Sequence, residues 1–190
     1  MKSYIKNHIL ESVRVKEEIL SSDLILQAIE QAANHIIQAY KNGNKVLIAG
    51  NGGSAADAQH IAAELVSKFL KDRPALNAIA LTTNTSILTA VGNDYSHEHI
   101  FARQIQAYGN VGDIYIPIST SGNSKNIIKS IEEAKVKGLT VIGLTGQQPC
   151  QIDNLCDLVI KIPSVNTPII QESHITIGHI ICEIIENKLF

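Results

Sequence analysis

Apolar residues recur along this chain with two different periods, and the change from one to the other marks out its elements. Between Asp23 and Gly43 they fall at Ile25, Ile29, Ala32, Ala33, Ile36, Ile37 and Tyr40, the spacing of one buried helix face. Asp23 opens this helix and Gly43 closes it. A shorter, more polar helix precedes it, so N-terminal helices occupy about residues 1–43. Beyond Gly43, short apolar runs alternate with helical stretches, and strands are expected at Lys45–Ala49, Leu76–Leu81, Asp113–Ile118, Leu139–Leu144 and Asp157–Ile162. Runs that are apolar without alternation need cover on both faces of the sheet. The pattern therefore predicts an α/β three-layer sandwich, a central five-stranded parallel sheet flanked by helices. A last helix, with Thr167 as cap and Pro168 in its first turn, is expected over about residues 168–188.

Length and charge narrow this picture. A chain of 190 residues suits a single domain spanning 1–190, because a chain of this size buries roughly 70% of its unfolded surface. The net charge of -2 leaves no general basic face, so an anion has to be met locally by backbone dipoles and hydroxyls, and nucleic acid is not expected as a partner. Cys150, Cys156 and Cys182 are odd in number and lack CxxC spacing, which fits a reducing compartment. The N-terminus (MKSYIKNHILESVRVKEE) has no apolar h-region, and the Ile-rich C-terminal stretch is interrupted by His174, His179 and Glu183. A soluble, unprocessed, cytoplasmic protein without a membrane partner is expected.

Candidate chemistry concentrates in two loops. The segment GNGGSAADAQHIAAEL, Gly50–Leu65, joins a glycine-rich turn to a helix. Ser54 is the expected N-cap, and the free backbone N–H groups of such a turn suit a phosphate. His60 and Glu64 lie four residues apart on that helix, one turn from each other on one face, as two ligands of one metal ion would be. The second loop, STSGNS, Ser119–Ser124, follows the third strand. In an open parallel sheet ligands bind beyond the carboxyl ends of the strands at a topological switch, so both loops could hold one phosphate. Ser, Thr and Asn also cap helices, but four hydroxyls in six residues exceed what one cap requires. The first loop also fits G-x-G-x-x-A, yet Thr82-Thr83-Asn84 supplies no carboxylate for a ribose after the next strand, and no Gly-Lys-Ser/Thr follows the loop. Dinucleotide and nucleoside triphosphate sites are thereby disfavoured.

The string GNGGSAADAQHIAAEL, the later VGNDY, the loop STSGNS, and Gln171-Glu172-Ser173-His174 followed by His179 resemble the phosphoheptose isomerases, enzymes of the sugar isomerase (SIS) domain, over nearly the whole chain. The resemblance implies a flavodoxin-like SIS fold, a homotetramer and one zinc ion per subunit. It implies conversion of sedoheptulose 7-phosphate to D-glycero-D-manno-heptose 7-phosphate through an enediol, supplying heptose for lipopolysaccharide. Metal ligands would fall on His60, Glu64, Gln171 and His179, with Glu64 and His179 as the acid-base pair. Substrate contacts would fall on Asn51, Gly52, Gly53, Ser54, Glu64, Asn93, Asp94, Ser119, Thr120, Ser121, Ser124 and Gln171. The chain departs from the family at Ile169 and Lys68, where arginine is common; both changes weaken anion recognition.

These roles suit the chemistry, since aldose-ketose exchange needs a base, an acid and an electrophile for the developing oxyanion. Either Glu64 or His179 could be the base. Two rivals are a non-catalytic SIS-domain adaptor that binds the replication initiator, whose relatives lack the helix Glu and the final His, and a sugar-phosphate sensor. His8 and His35 are assigned nothing, His97-Glu98-His99 is expected to start a solvated helix, and His174 is a reserve ligand. Gln171 and His179, eight residues apart, would be separated by about 12 Å of rise and roughly 80° of rotation on a straight helix. Either the helix starts after Gln171 or the ligands meet from different copies of the chain. The second is favoured, with His60 and Glu64 from one subunit and at least one C-terminal ligand from another, the Ile-rich last helix being buried between subunits.

Overall fold

A computed structural model describes all residues, Met1–Phe190. The elements run α1 (Lys2–Leu20), α2 (Asp23–Lys41), β1 (Val46–Gly50), α3 (Gly53–Val66), β2 (Ala78–Ala80), α4 (Thr85–Asp94), a 3-10 turn (His97–His99), α5 (Ala102–Tyr108), β3 (Ile114–Ile118), α6 (Lys125–Val136), β4 (Thr140–Gly146), α7 (Ile152–Leu155), β5 (Leu158–Ile162) and α8 (Thr167–Leu189). The five strands are parallel in the order β2-β1-β3-β4-β5, the flavodoxin-like arrangement. Chain direction across the sheet reverses between β1 and β3, so the loops after these two strands flank the switch point. No helix is long and apolar enough to cross a membrane.

The strands are apolar throughout because the two faces serve two cores. Val46 and Ile48 join one cluster with Ile114, Ile116, Ile142 and Ile160, under α2, α3 and α8. Their neighbours Leu47 and Ala49 join the other with Tyr115 and Val141, under α5 and α6. The three-layer sandwich expected from the pattern is therefore present. Every strand end falls within two residues of its expected position, and β2 shortens most, to three residues at the sheet edge.

Several local expectations change. The first helix is not shorter than the second, since each has 19 residues. It buries only Val15, which is why it reads as polar. The cap of α8 is Asn166, with Thr167 already in the helix and Pro168 in its first turn. Of the isoleucines of α8, Ile169, Ile170, Ile177, Ile181 and Ile185 are in the first core cluster, Ile175 and Ile184 are half-buried and Ile180 is exposed. More exposed apolar side chains lie on α1, at Tyr4, Ile5, Ile9, Leu10 and Val13.

Candidate active site

The first loop leaves β1 and turns directly into α3. Gly52, at φ 55, is the N-cap of that helix, a left-handed conformation that only glycine adopts without strain. Ser54 is thus in the first turn rather than at the cap; it is buried, and its N–H bonds to the Asn51 carbonyl at 3.0 Å. The Asn51 side chain is tied to Asn126 of α6 by two reciprocal amide hydrogen bonds of 2.9 Å. Asn126 was not singled out from the sequence, yet it locks the two loops together across the switch point.

The second loop keeps its hydroxyls clear of helix capping. Ser124 is the N-cap of α6 but makes no side-chain cap bond; its Oγ lies 3.1 Å from Ser119 Oγ. Ser119 Oγ also accepts the Gly122 N–H at 3.2 Å, and Ser121 Oγ accepts that of Asn123 at 3.3 Å. Thr120 and Ser121 line a polar hollow of about 280 Å³ with Gln147, Ser164 and Thr167, at the carboxyl ends of β4 and β5. Asn93 and Asp94 hydrogen-bond to each other at the exposed C-terminal end of α4.

The titratable cluster forms where α3 and α8 pack. A Cβ on Gly178 would stand 2.8 Å from Ile61 Cδ1 and Cγ1, so glycine there permits the close approach that carries the adjacent His179 to His60. His60 Nε2 is 3.1 Å from Glu64 Oε1 and 3.3 Å from His179 Nε2. The two imidazoles meet edge to face with centroids 4.9 Å apart, and Phe69 covers His179 at 5.7 Å. All three donor atoms lie within 4.8 Å of one another. A tetrahedral zinc with bonds of about 2.0–2.2 Å sets its donors roughly 3.3–3.6 Å apart, so the two close edges of this group fit an ion between them. The His60 and Glu64 side chains are 48% and 23% exposed, open to a ligand from solvent.

His60, Glu64 and His179 therefore converge within one chain. At least one C-terminal ligand was expected from another subunit; His179 does not have to be that ligand, because packing of α3 on α8 brings it to His60 and Glu64 within one chain. Gln171 is on the same continuous helix, about two turns before His179, and its amide lies against Gly53. It sits with the glycine turn.

His174 is corrected as a reserve ligand. It is fully buried with Nε2 3.3 Å from the Thr145 carbonyl oxygen and Nδ1 unpartnered, and burial pushes its pKa down to about 4. The sequence His97–His99 forms a 3-10 turn in which His99 Nδ1 bonds Ser96 Oγ at 2.9 Å. Ile169 lies inside the core and Lys68 on the surface. Asp57, one turn before His60, was also missed; its Oδ2 is buried without a partner, and burial raises its pKa while His60 opposes the rise.

A family model described as "SIS domain" matches residues 11–146. A phosphoheptose isomerase of Aneurinibacillus thermoaerophilus is 60% identical over all of this chain and 96% of its own length. One of Campylobacter jejuni, phosphoheptose isomerase 2, is 58% identical over all of this chain and 94% of its own. The chain belongs to the phosphoheptose isomerase family. Solved structures agree: the phosphoheptose isomerase of Neisseria gonorrhoeae superposes with a TM-score of 0.92 at 40% identity, over 98% of each chain. That of Francisella tularensis gives 0.93 at 40% identity, over 97% of each. The protein is an aldose-ketose isomerase, and nothing among these relatives supports the adaptor reading.

Proposed function

We propose that the protein converts sedoheptulose 7-phosphate to D-glycero-D-manno-heptose 7-phosphate through an enediol, for heptose and lipopolysaccharide precursor synthesis. The observation that carries this is the convergence of Glu64, His60 and His179 in one chain, beside two loops that flank the switch point. The phosphate end of the substrate is assigned to the N–H groups of Gly52 and Gly53 and the hydroxyls of Ser119, Thr120, Ser121 and Ser124, the Ser54 N–H being taken by the Asn51 carbonyl. The bond between Asn51 and Asn126 supports one phosphate spanning both loops, because it fixes their separation. Gln171, held against Gly53, is assigned to the sugar hydroxyls, and Asn93 and Asp94 to its far end.

Glu64 and His179 are assigned the proton transfers. One removes the carbon-bound proton next to the carbonyl and the other services the oxygens, then the roles reverse to deliver the proton to the neighbouring carbon. Their close placement, through His60, supports a pair working on adjacent atoms. The metal is proposed to be zinc, held by His60, Glu64 and His179; when bound, it supplies a Lewis acid for the carbonyl oxygen. Gln171 carried over as a fourth ligand would have to leave Gly53, so the amide serves either the metal or the substrate hydroxyls and not both at once.

A homotetramer with active sites at subunit boundaries is part of the same proposal. Its support is the exposed apolar face of α1 and an apolar groove of about 300 Å³ between α1, α2 and α8, lined by Leu20, Leu26 and Ile180 among others. Cytoplasmic location fits a phosphorylated sugar substrate and an odd number of unpaired cysteines. Mixing zinc-loaded protein with sedoheptulose 7-phosphate tests the function, with the aldose phosphate expected to accumulate to equilibrium. Absence of aldose at enzyme concentrations matching substrate would refute it.

A further inference from the structure

Glu186 is a carboxylate on the buried side of α8, two turns beyond His179, and the proton-transfer scheme does not use it. Its side chain is 2% exposed and that of its partner Arg73 is 1% exposed. Oε2 accepts from Arg73 Nε at 2.9 Å and from the Phe69 N–H at 3.0 Å, while Oε1 accepts from the N–H groups of Leu70 at 2.7 Å and Lys71 at 2.6 Å. Burial works to raise the carboxyl pKa, but these three backbone donors and the guanidinium bring it down to about 2. The group is an ion with its oxygens fully occupied.

Arg73 Nη1 donates to the carbonyl of the neighbouring Pro74 at 3.1 Å, and both Nη atoms also turn toward α3. Nη2 donates to the backbone carbonyl of Glu64 at 2.8 Å and Nη1 to that of Leu65 at 2.9 Å. Those carbonyls belong to the last turn of α3, where the helix has no donors of its own left to offer and where a cation also meets the negative end of the helix dipole. On the other side, the segment that Glu186 gathers includes Phe69, whose ring lies 5.7 Å from that of His179 at an interplanar angle of 34°.

We propose that Arg73 and Glu186 are positioning residues, a buried clamp that sets the backbone at Glu64 and seats Phe69 on His179, so that both proton-transfer side chains are held in register. The proposal rests on the isomerase reading above. A buried ion pair is by itself a weak source of stability, so the informative part is where its donors point. An ion pair serving only to neutralise two charges would require the contact between Arg73 and Glu186 and nothing more. This one reaches the main chain of Glu64 directly and the ring of His179 through one residue. A lysine at position 73 could keep the charge but not the planar fork that serves Glu186 and the two α3 carbonyls together.

The test compares the full-length protein with Arg73→Lys, which keeps the charge, and with the paired change Arg73→Gln and Glu186→Gln, which leaves no unpaired ion. Folding is followed by far-UV circular dichroism, zinc affinity by competition with a chromogenic chelator, and turnover with sedoheptulose 7-phosphate. Loss of outer contacts to metal ligands typically costs about 10–100-fold in metal affinity or activity. The expected result is a folded protein with KM within about threefold of wild type, kcat at least about tenfold lower and zinc bound at least about tenfold more weakly. Folded variants with kcat and zinc affinity both within about twofold of wild type would overturn the proposal. So would failure of both variants to fold, which would give the pair a structural role. An inactive wild type would sink the isomerase reading alone, because the zinc comparison still decides whether the clamp positions Glu64.

Discussion

Gly53→Ala should separate activity from stability at the contact between α3 and Gln171. A Cβ at Gly53 would stand 2.7, 2.8 and 2.9 Å from Gln171 Nε2, Oε1 and Cδ, where an ordinary contact begins at 3.4 Å. The Gln171 amide would have to withdraw by ~0.5–0.7 Å to clear it. The backbone itself accepts alanine, since Gly53 is not among the glycines with positive φ, and alanine gains roughly 0.5–1 kcal/mol over glycine within a helix. Thermal stability should therefore be equal to wild type or slightly higher. A displacement of about 1 Å at a reacting site can cost ~100-fold, so a shift of this smaller size should lower kcat/KM by about 10–30-fold, or ~1.4–2 kcal/mol of transition-state stabilisation. Steady-state kinetics with sedoheptulose 7-phosphate, alongside thermal unfolding, would check both parts. If kcat/KM stayed within about twofold of wild type, Gln171 would have no positional role at the glycine turn and its assignment to the substrate would fail.

Three further outcomes follow from the geometry. Glu64→Gln and His179→Ala should each lose at least about 100-fold in turnover while staying folded, and mixing the two chains with verified subunit exchange should recover no activity, because both residues belong to one chain's cluster; recovery would place them in different chains. Ser119→Ala combined with Ser121→Ala should weaken inorganic phosphate binding measured by calorimetry, since neither hydroxyl is consumed by a helix cap; unchanged affinity would make the loop only a connector. Glu186 has a folded pKa held near 2 against an ordinary 4.5, so its contribution is complete above about pH 4.5 and is lost as pH falls toward 2. Urea unfolding of wild type and Glu186→Gln should show a stability gap that narrows over that interval, and a gap independent of pH would contradict the ion pair.

What could be read from the chain and what could not divides by range. Strands such as Val46–Gly50 were legible because each residue faces one of two covered layers, leaving an unbroken apolar run. His60 and Glu64 were legible because helix spacing alone stacks them. The convergence of His179 was not, because spacing along α8 says nothing about the helix that crosses it, and the close approach depends on Gly178 meeting Ile61. The same blindness hid Asn126 and the Arg73–Glu186 clamp, whose partners are 75 and 113 residues apart in sequence. A faint signal for the clamp existed in Glu186, a carboxylate at a core-facing position beside Ile185. The isoleucines of α8 have two uses that their number alone does not separate: Ile177, Ile181 and Ile185 pack into the chain's own core, whereas Ile180 is exposed.

The central claim is that Glu64 and His179 move a proton between adjacent carbons of a phosphorylated sugar, and isomerisation in deuterated water tests it most directly. Zinc-loaded protein acting on sedoheptulose 7-phosphate should yield an aldose phosphate carrying deuterium at C2 by NMR, because a proton held on a side chain open to solvent exchanges before it is returned. Glu64→Gln should show neither product nor deuterium. Product formed at the wild-type rate in Glu64→Gln, or wild-type product with no deuterium at C2 at any enzyme concentration, would contradict proton transfer by this pair.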